Sequence, residues 1–85
     1  MEVGMLWFDN NPKVDLEEKV KQAAEYYQTK YGRCPNMCFV NPRMLMNKEQ
    51  LTVGSIRVLI AESILPNHFW LGVTNELQDE KVLAQ

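Results

Sequence analysis

Hydrophobic residues open the chain in a short run that predicts a strand over residues 1–8. The apolar residues of this run are Val3, Met5, Leu6, Trp7 and Phe8. Gly4 interrupts the run, which marks either a bulge or a close packing contact. The four residues that follow, Asp9-Asn10-Asn11-Pro12, are a dense turn signal, so we expect the strand to end at Phe8.

The next segment repeats apolar residues at the spacing of a helix with one buried stripe. That stripe consists of Leu16, Val20, Ala23, Ala24, Tyr27 and Tyr31. Two starts fit the pattern. Either Pro12 is the first helical residue with Asn11 as its cap, or Asp15 is the cap and Glu18 completes a capping box. Gly32 is the residue type that ends a helix in the left-handed conformation.

The apolar run Met37–Val40 predicts a second strand over Asn36 to Val40, and the lack of alternation favours a central strand buried on both faces. Asn41 is a good helix cap and Pro42 a good first helical residue. We therefore expect a short helix from Asn41 to about Asn47.

Two more strands are predicted in the second half of the chain. Gly54 opens a strand in which Ile56, Val58 and Ile60 alternate with other residues, the pattern of a half-exposed strand. After the break at residues 66–67, the aromatic-rich segment 68–73 predicts a last strand. The polar tail, residues 74–85, predicts a short helix or a frayed end.

These elements predict one α/β (α+β) domain over residues 1–85, with a small mixed sheet of about four strands. The order is strand, long helix, strand, short helix, strand, strand. We expect the long helix to pack on one face of the sheet and the first two strands to be parallel neighbours. The last two strands are close enough in sequence to form an antiparallel hairpin.

Composition narrows the classes of function. The chain is 46% hydrophobic and 24% charged, and its net charge of −2 is evenly mixed along its length. Nucleic-acid binding depends strongly on phosphate neutralisation, so this balance disfavours it. The apolar runs are far shorter than the roughly 20 residues of a membrane span, so we predict no membrane role and a cytoplasmic location.

Chemically active residues are few. Pro35 lies between Cys34 and Cys38 and favours an extended backbone at Cys34. The α-carbons of the two cysteines are then too far apart for a disulfide, so both should be free thiols. With His68 as the only histidine, a zinc site lacks ligands. No glycine-rich loop follows the first strand. We therefore predict no catalytic set, no metal and no cofactor.

One group of polar residues remains a candidate site. Asp9, Asn41 and Arg43 follow the first two strands, and α/β proteins often bind ligands at the carboxyl ends of strands. The alternative for Asp9 is an ordinary turn residue.

Four aromatic residues are candidates for an interface: Trp7, Phe8, Phe69 and Trp70. Adjacent strand residues point to opposite faces, and one helix layer covers only one face of a sheet. Some of these rings should then form an exposed apolar patch, unless the short helix and the tail cover that side.

Several landmarks from Gly32 onward resemble the axial (A) domain of tailed-bacteriophage major capsid proteins. They are Pro35-Asn36-Met37-Cys38-Phe39-Val40-Asn41-Pro42-Arg43 with Leu45, then Gly54-Ser55-Ile56-Arg57-Val58, Ser63, Leu65-Pro66 and Phe69-Trp70-Leu71-Gly72. This resemblance covers about half of the chain. It implies a fold like the predicted one, association through sheet edges and loops, and no catalytic residue. The chain lacks the N-terminal arm, spine helix and extended loop of that family.

The leading hypothesis is a non-enzymatic protein-interaction module that associates with itself as a homo-oligomer, in the first place a dimer. An unidentified protein partner is a further alternative. The second hypothesis is a small enzyme or enzyme subunit with its site near Asp9, Asn41 and Arg43. The third is a nucleic-acid-binding accessory protein.

Overall fold

The structure is a computed structural model that describes residues 4–46 and 50–74. It contains five strands and two helices in this part of the chain. They are β1 (Gly4–Phe8), α1 (Leu16–Tyr31), β2 (Met37–Val40), α2 (Pro42–Leu45), β3 (Gln50–Val53), β4 (Ile56–Ile60) and β5 (His68–Gly72). The predicted small mixed α/β domain is confirmed. The predictions for residues 1–3 and for the tail beyond Thr74 lie outside the described residues.

Local hydrogen bonds explain where α1 begins and ends. The side chain of Asp15 accepts a hydrogen bond from the backbone N–H of Glu18 at 2.9 Å, so Asp15 is the cap. Gly32 adopts a left-handed conformation with φ of 79°, and its N–H donates to the carbonyl of Gln28. Of the two predicted starts, the one at Asp15 is therefore correct.

The strand order in the sheet is β1-β5-β2-β4-β3. β5 is antiparallel to both β1 and β2, whereas β2 and β4 are parallel. Two expectations about neighbours are corrected. β1 and β2 run parallel but are separated by β5, and β4 forms its hairpin with β3 instead of β5.

β3 is an element that the sequence pattern did not predict. Val53 and Ile56 face each other across a two-residue turn, in which Gly54 has φ of 61°. Gly54 thus occupies the turn of a hairpin and does not open a strand.

Both helices pack on the same face of the sheet. Val20, Ala23 and Tyr27 of α1 and Leu45 of α2 belong to one hydrophobic core. The strand residues in this core are Met5, Cys38, Val40, Val53, Ile56, Val58, Phe69 and Leu71. Among the described residues, no helix has the length and apolar character needed to cross a bilayer.

Candidate functional site

The face of the sheet opposite α1 carries an apolar surface, here called the open face. Since Met5, Phe69 and Leu71 belong to the core, the alternate residues of β1 and β5 point to the other side. The open face consists of Leu6 and Phe8 of β1, His68 and Trp70 of β5, Met37 and Phe39 of β2, and Arg57 and Leu59 of β4, so it is apolar at β1 and includes a charged residue at β4. Within residues 4–46 and 50–74, neither helix packs on it.

Exposure on the open face is greatest at β1, which is an edge strand. The side chains of Leu6 and Phe8 are 58% and 55% exposed. Trp70 and Phe39 are half-buried towards the middle of the sheet, and Met37 is buried. The phenyl ring of Phe8 contacts the imidazole of His68 at a centroid distance of 4.9 Å. The accessible apolar surface is therefore concentrated along one edge.

Gly4 and Trp70 pack closely together on the open face. A Cβ atom built on Gly4 would lie 2.6 Å from Cε2 of the Trp70 indole, far inside van der Waals contact. The indole thus lies across β1 at a position where only glycine leaves room. Of the two predictions for Gly4, the close packing contact is confirmed.

The four aromatic residues predicted as an interface divide between the two faces. Phe8 and Trp70 lie on the open face as expected. Phe69 is 0% exposed and belongs to the core, so its assignment to an interface is corrected. Trp7 also lies on the helix side, where its ring contacts that of Tyr26 of α1 at a centroid distance of 4.5 Å, with the ring planes tilted by 39°.

Leu6 belongs to this surface but was not among the residues predicted for the interface, which were all aromatic. Because Leu6 lies two positions from Phe8 on the same strand, its side chain must share the face of Phe8. The same alternation places Trp7 beneath α1. Its indole N–H is buried and has no acceptor within the described parts of the chain.

Of the polar residues Asp9, Asn41 and Arg43, the first two use their side chains in local hydrogen bonds, and Arg43 is exposed. Asp9 accepts a hydrogen bond from the backbone N–H of Asn11 at 2.9 Å. Asn41 accepts from the N–H of Arg43 and donates from Nδ2 to the carbonyl of Ile64 at 2.8 Å. Asp9 and Asn41 follow strands that β5 separates. Each therefore holds a turn or a helix start.

The remaining reactive residues are also dispersed. Cys34 is exposed and Cys38 is buried, and both are free thiols as predicted. Burial raises the pKa of Cys38 to about 12, so this residue stays a thiol at neutral pH and is no thiolate nucleophile. In the described parts of the chain, no three His, Cys, Asp or Glu residues are grouped to hold a metal ion.

A groove of about 380 Å³ lies on the other side of the molecule, where the start of α1 meets α2 and β3. Leu16, Met44, Met46 and Leu51 supply apolar walls, and Glu17 lies at its rim. Met46 is 85% exposed there. The groove and the exposed edge of β1 are thus separate apolar surfaces.

Comparisons of the chain with protein-family models, curated proteins and solved structures found no match. The open face and its edge strand are therefore interpreted from their own geometry.

Proposed function

We propose that this protein is a non-enzymatic interaction module that associates with copies of itself through the open face at β1. The observation that carries the proposal is the pair Leu6 and Phe8, each more than half exposed on an uncharged edge strand. Edge strands of monomeric proteins are usually protected by charges, proline or a covering element. β1 has the sequence Gly-Met-Leu-Trp-Phe and no such protection in its own residues.

The free energy available from this surface suits a modest association. Complete burial of a leucine or phenylalanine side chain contributes about 1.5–3 kcal/mol, and slightly more than half of each side chain is still exposed here. A symmetric dimer buries both residues of both copies. Since association also costs translational and rotational freedom, we expect a concentration-dependent dimer and not a permanent one.

Three finer features of this proposal rest on the sequence alone. They are the dimer as the oligomeric state, the resemblance to the axial domain of capsid proteins and the cytoplasmic location. The first two agree with association through a sheet edge, and all three stay predictions.

The test compares two glutamate variants by size-exclusion chromatography with light scattering over a wide range of protein concentration. Leu6→Glu places a charge on the open face, whereas Met46→Glu makes the same change at the groove by the opposite edge of the sheet. We expect the wild-type protein and Met46→Glu to shift from monomer to dimer as concentration rises. Leu6→Glu should stay monomeric and folded, because Leu6 is exposed in the single copy.

Two results contradict the proposal. A wild-type protein that is monomeric at every concentration has no self-association to explain. A loss of association in Met46→Glu but not in Leu6→Glu moves the interface to the groove of α1, α2 and β3.

A further inference from the structure

The hydrogen-bond pattern of the sheet shows which backbone groups of β1 face outward. The N–H of Asp9 donates to the carbonyl of Asn67 at 3.0 Å, and the register from Gly4 to Phe8 continues without interruption. In an antiparallel pair, bonded and non-bonded positions alternate. Met5 and Trp7 therefore bond to β5, while Gly4, Leu6 and Phe8 direct their backbone groups to the free edge.

Along β5, the residues whose backbone groups bond to β2 alternate with those that bond to β1. The N–H of Asn36 donates to the carbonyl of Gly72 at 3.0 Å, so the even-numbered residues of β5 face β2. The odd-numbered residues Phe69 and Leu71 are left to face β1. Both sides of β5 give the same assignment.

One outward group on β1 already has a partner. The hydroxyl of Tyr31 donates to the carbonyl of Gly4 at 3.3 Å. No bond joins the outward backbone groups of Leu6 or Phe8 to any other described residue. Leu6 and Phe8 thus offer two N–H groups and two carbonyls at alternate positions of the free edge.

We propose that β1 pairs with β1 of a second copy in antiparallel orientation, with Leu6 opposite Phe8 of the partner subunit. This inference rests on the proposed self-association and specifies its contact. The two-fold axis of this dimer passes between the Trp7 residues of the two copies. The N–H of Leu6 donates to the carbonyl of the partner's Phe8, and the N–H of the partner's Phe8 donates to the carbonyl of Leu6. Four backbone hydrogen bonds result, in which every outward N–H of Leu6 and Phe8 meets an outward carbonyl of the other copy.

Side chains favour this register over its neighbour. A pairing centred on Leu6 would place Gly4, which has no side chain, opposite Phe8 of the partner subunit, and the Gly4 carbonyl would accept a second bond beside the one from Tyr31. The register centred on Trp7 uses only the free groups of Leu6 and Phe8. It also brings the exposed leucine and phenylalanine side chains of the two copies together on one face.

Symmetry and side chains favour β1 over β3, the other edge of the sheet. On β3 the residue next to the core residue Val53 is Thr52, which is polar and exposed. A contact between β1 and β3 of different copies would leave an unpaired edge at each end and grow into a polymer. Pairing of β1 with β1 closes as a dimer with a continuous ten-stranded sheet.

Residue-resolved amide hydrogen exchange, followed by NMR at low and at high protein concentration, tests the pairing. We expect the Leu6 and Phe8 amides to exchange rapidly in the monomer and at least tenfold more slowly in the dimer. The Met5 and Trp7 amides, which bond to β5, should be protected in both states. Thr52 on the opposite edge is the matched control and should show no change on dimerisation.

Cysteine cross-linking then tests the register in the background Cys34→Ser. Leu6→Cys mixed with Phe8→Cys should form a disulfide under mild oxidation, because these positions are directly opposite each other. Either variant alone should not, since its two copies stand further apart than the roughly 7 Å that a disulfide spans.

Each contrary result has a distinct meaning. A dimer in which the Leu6 and Phe8 amides stay unprotected overturns the strand pairing but leaves the self-association standing. Cross-linking of Leu6→Cys with itself overturns the register. A protein that stays monomeric throughout the titration overturns both the pairing and the proposed function.

Discussion

At the scale of single residues, Gly4 and Trp70 show how one missing side chain shapes the open face. Gly4→Ala places a methyl group inside the indole of Trp70. We expect the substitution to lower the free energy of unfolding by about 1–3 kcal/mol, the usual cost of overpacking. Urea denaturation followed by tryptophan fluorescence measures this loss.

A double-mutant cycle supplies the control for Gly4. In a Trp70→Leu background the ring is gone, so Gly4→Ala should cost much less there than in the wild type. If Gly4→Ala lowers the free energy of unfolding equally in the two backgrounds, the destabilisation is not caused by contact with the Trp70 indole.

Single residues also show what the sequence could and could not predict. The alternation of strand side chains correctly implied that Trp7 and Phe8 point to opposite faces. It did not say which of them faces α1, because both are large and apolar. For β5 the answer depends on its pairing with β1, where Phe69 stands opposite Trp7 on the helix side. Such pairing joins residues about 60 positions apart, and no local pattern encodes it.

At the scale of elements, Asn41 links the start of α2 to the connection between β4 and β5. Its Oδ1 caps the helix by accepting from Arg43, and its Nδ2 donates to Ile64 in that connection. Asn41→Ala removes both bonds and should lower the free energy of unfolding by about 1.5–3 kcal/mol. Asn41→Asp keeps the cap and should cost about 1 kcal/mol. Urea denaturation of both variants gives the comparison.

Asp15→Ala is the matched control for Asn41, because Asp15 caps α1 through a single side-chain bond to Glu18. We expect it to cost about 1 kcal/mol. If Asn41→Ala costs no more than Asp15→Ala, the bond to Ile64 contributes nothing to stability.

Elements with strong local signals were predicted well, and those that depend on distant partners were not. α1 has its stripe, cap and terminating glycine within 18 residues, Asp15–Gly32. β3 has only four residues, and its pairing with β4 is what makes it a strand. The position of β5 between β1 and β2 likewise depends on pairing over long sequence distances. The candidate site shares this limit, because the position of β1 at an edge follows from the strand order of the whole sheet.

At the scale of the whole molecule, the sheet has more surface than the two helices of residues 4–46 and 50–74 cover. α1 and α2 both pack on one of its faces. A small domain buries only about 60% of the surface of its unfolded chain, so its margin of stability is narrow. The proposed association, which buries Leu6 and Phe8, would stabilise the folded state itself, because the partner binds only folded chains.

This coupling predicts that thermal stability depends on protein concentration. Where the dimer predominates, a tenfold rise in concentration adds about 1.4 kcal/mol per dimer, or about 0.7 kcal/mol per chain. For a domain of this size we expect Tm to rise by about 3–5 °C per tenfold step, as measured by circular dichroism. Met46→Glu should keep this dependence of Tm on protein concentration, whereas Leu6→Glu should lose it. At low concentration the Tm of Leu6→Glu should stay near that of the wild type. The glutamate side chain of Leu6→Glu cannot be buried at the edge of β1 without a large desolvation cost. If the Tm of this variant still rises with protein concentration, folding is therefore coupled to an intermolecular contact elsewhere on the protein.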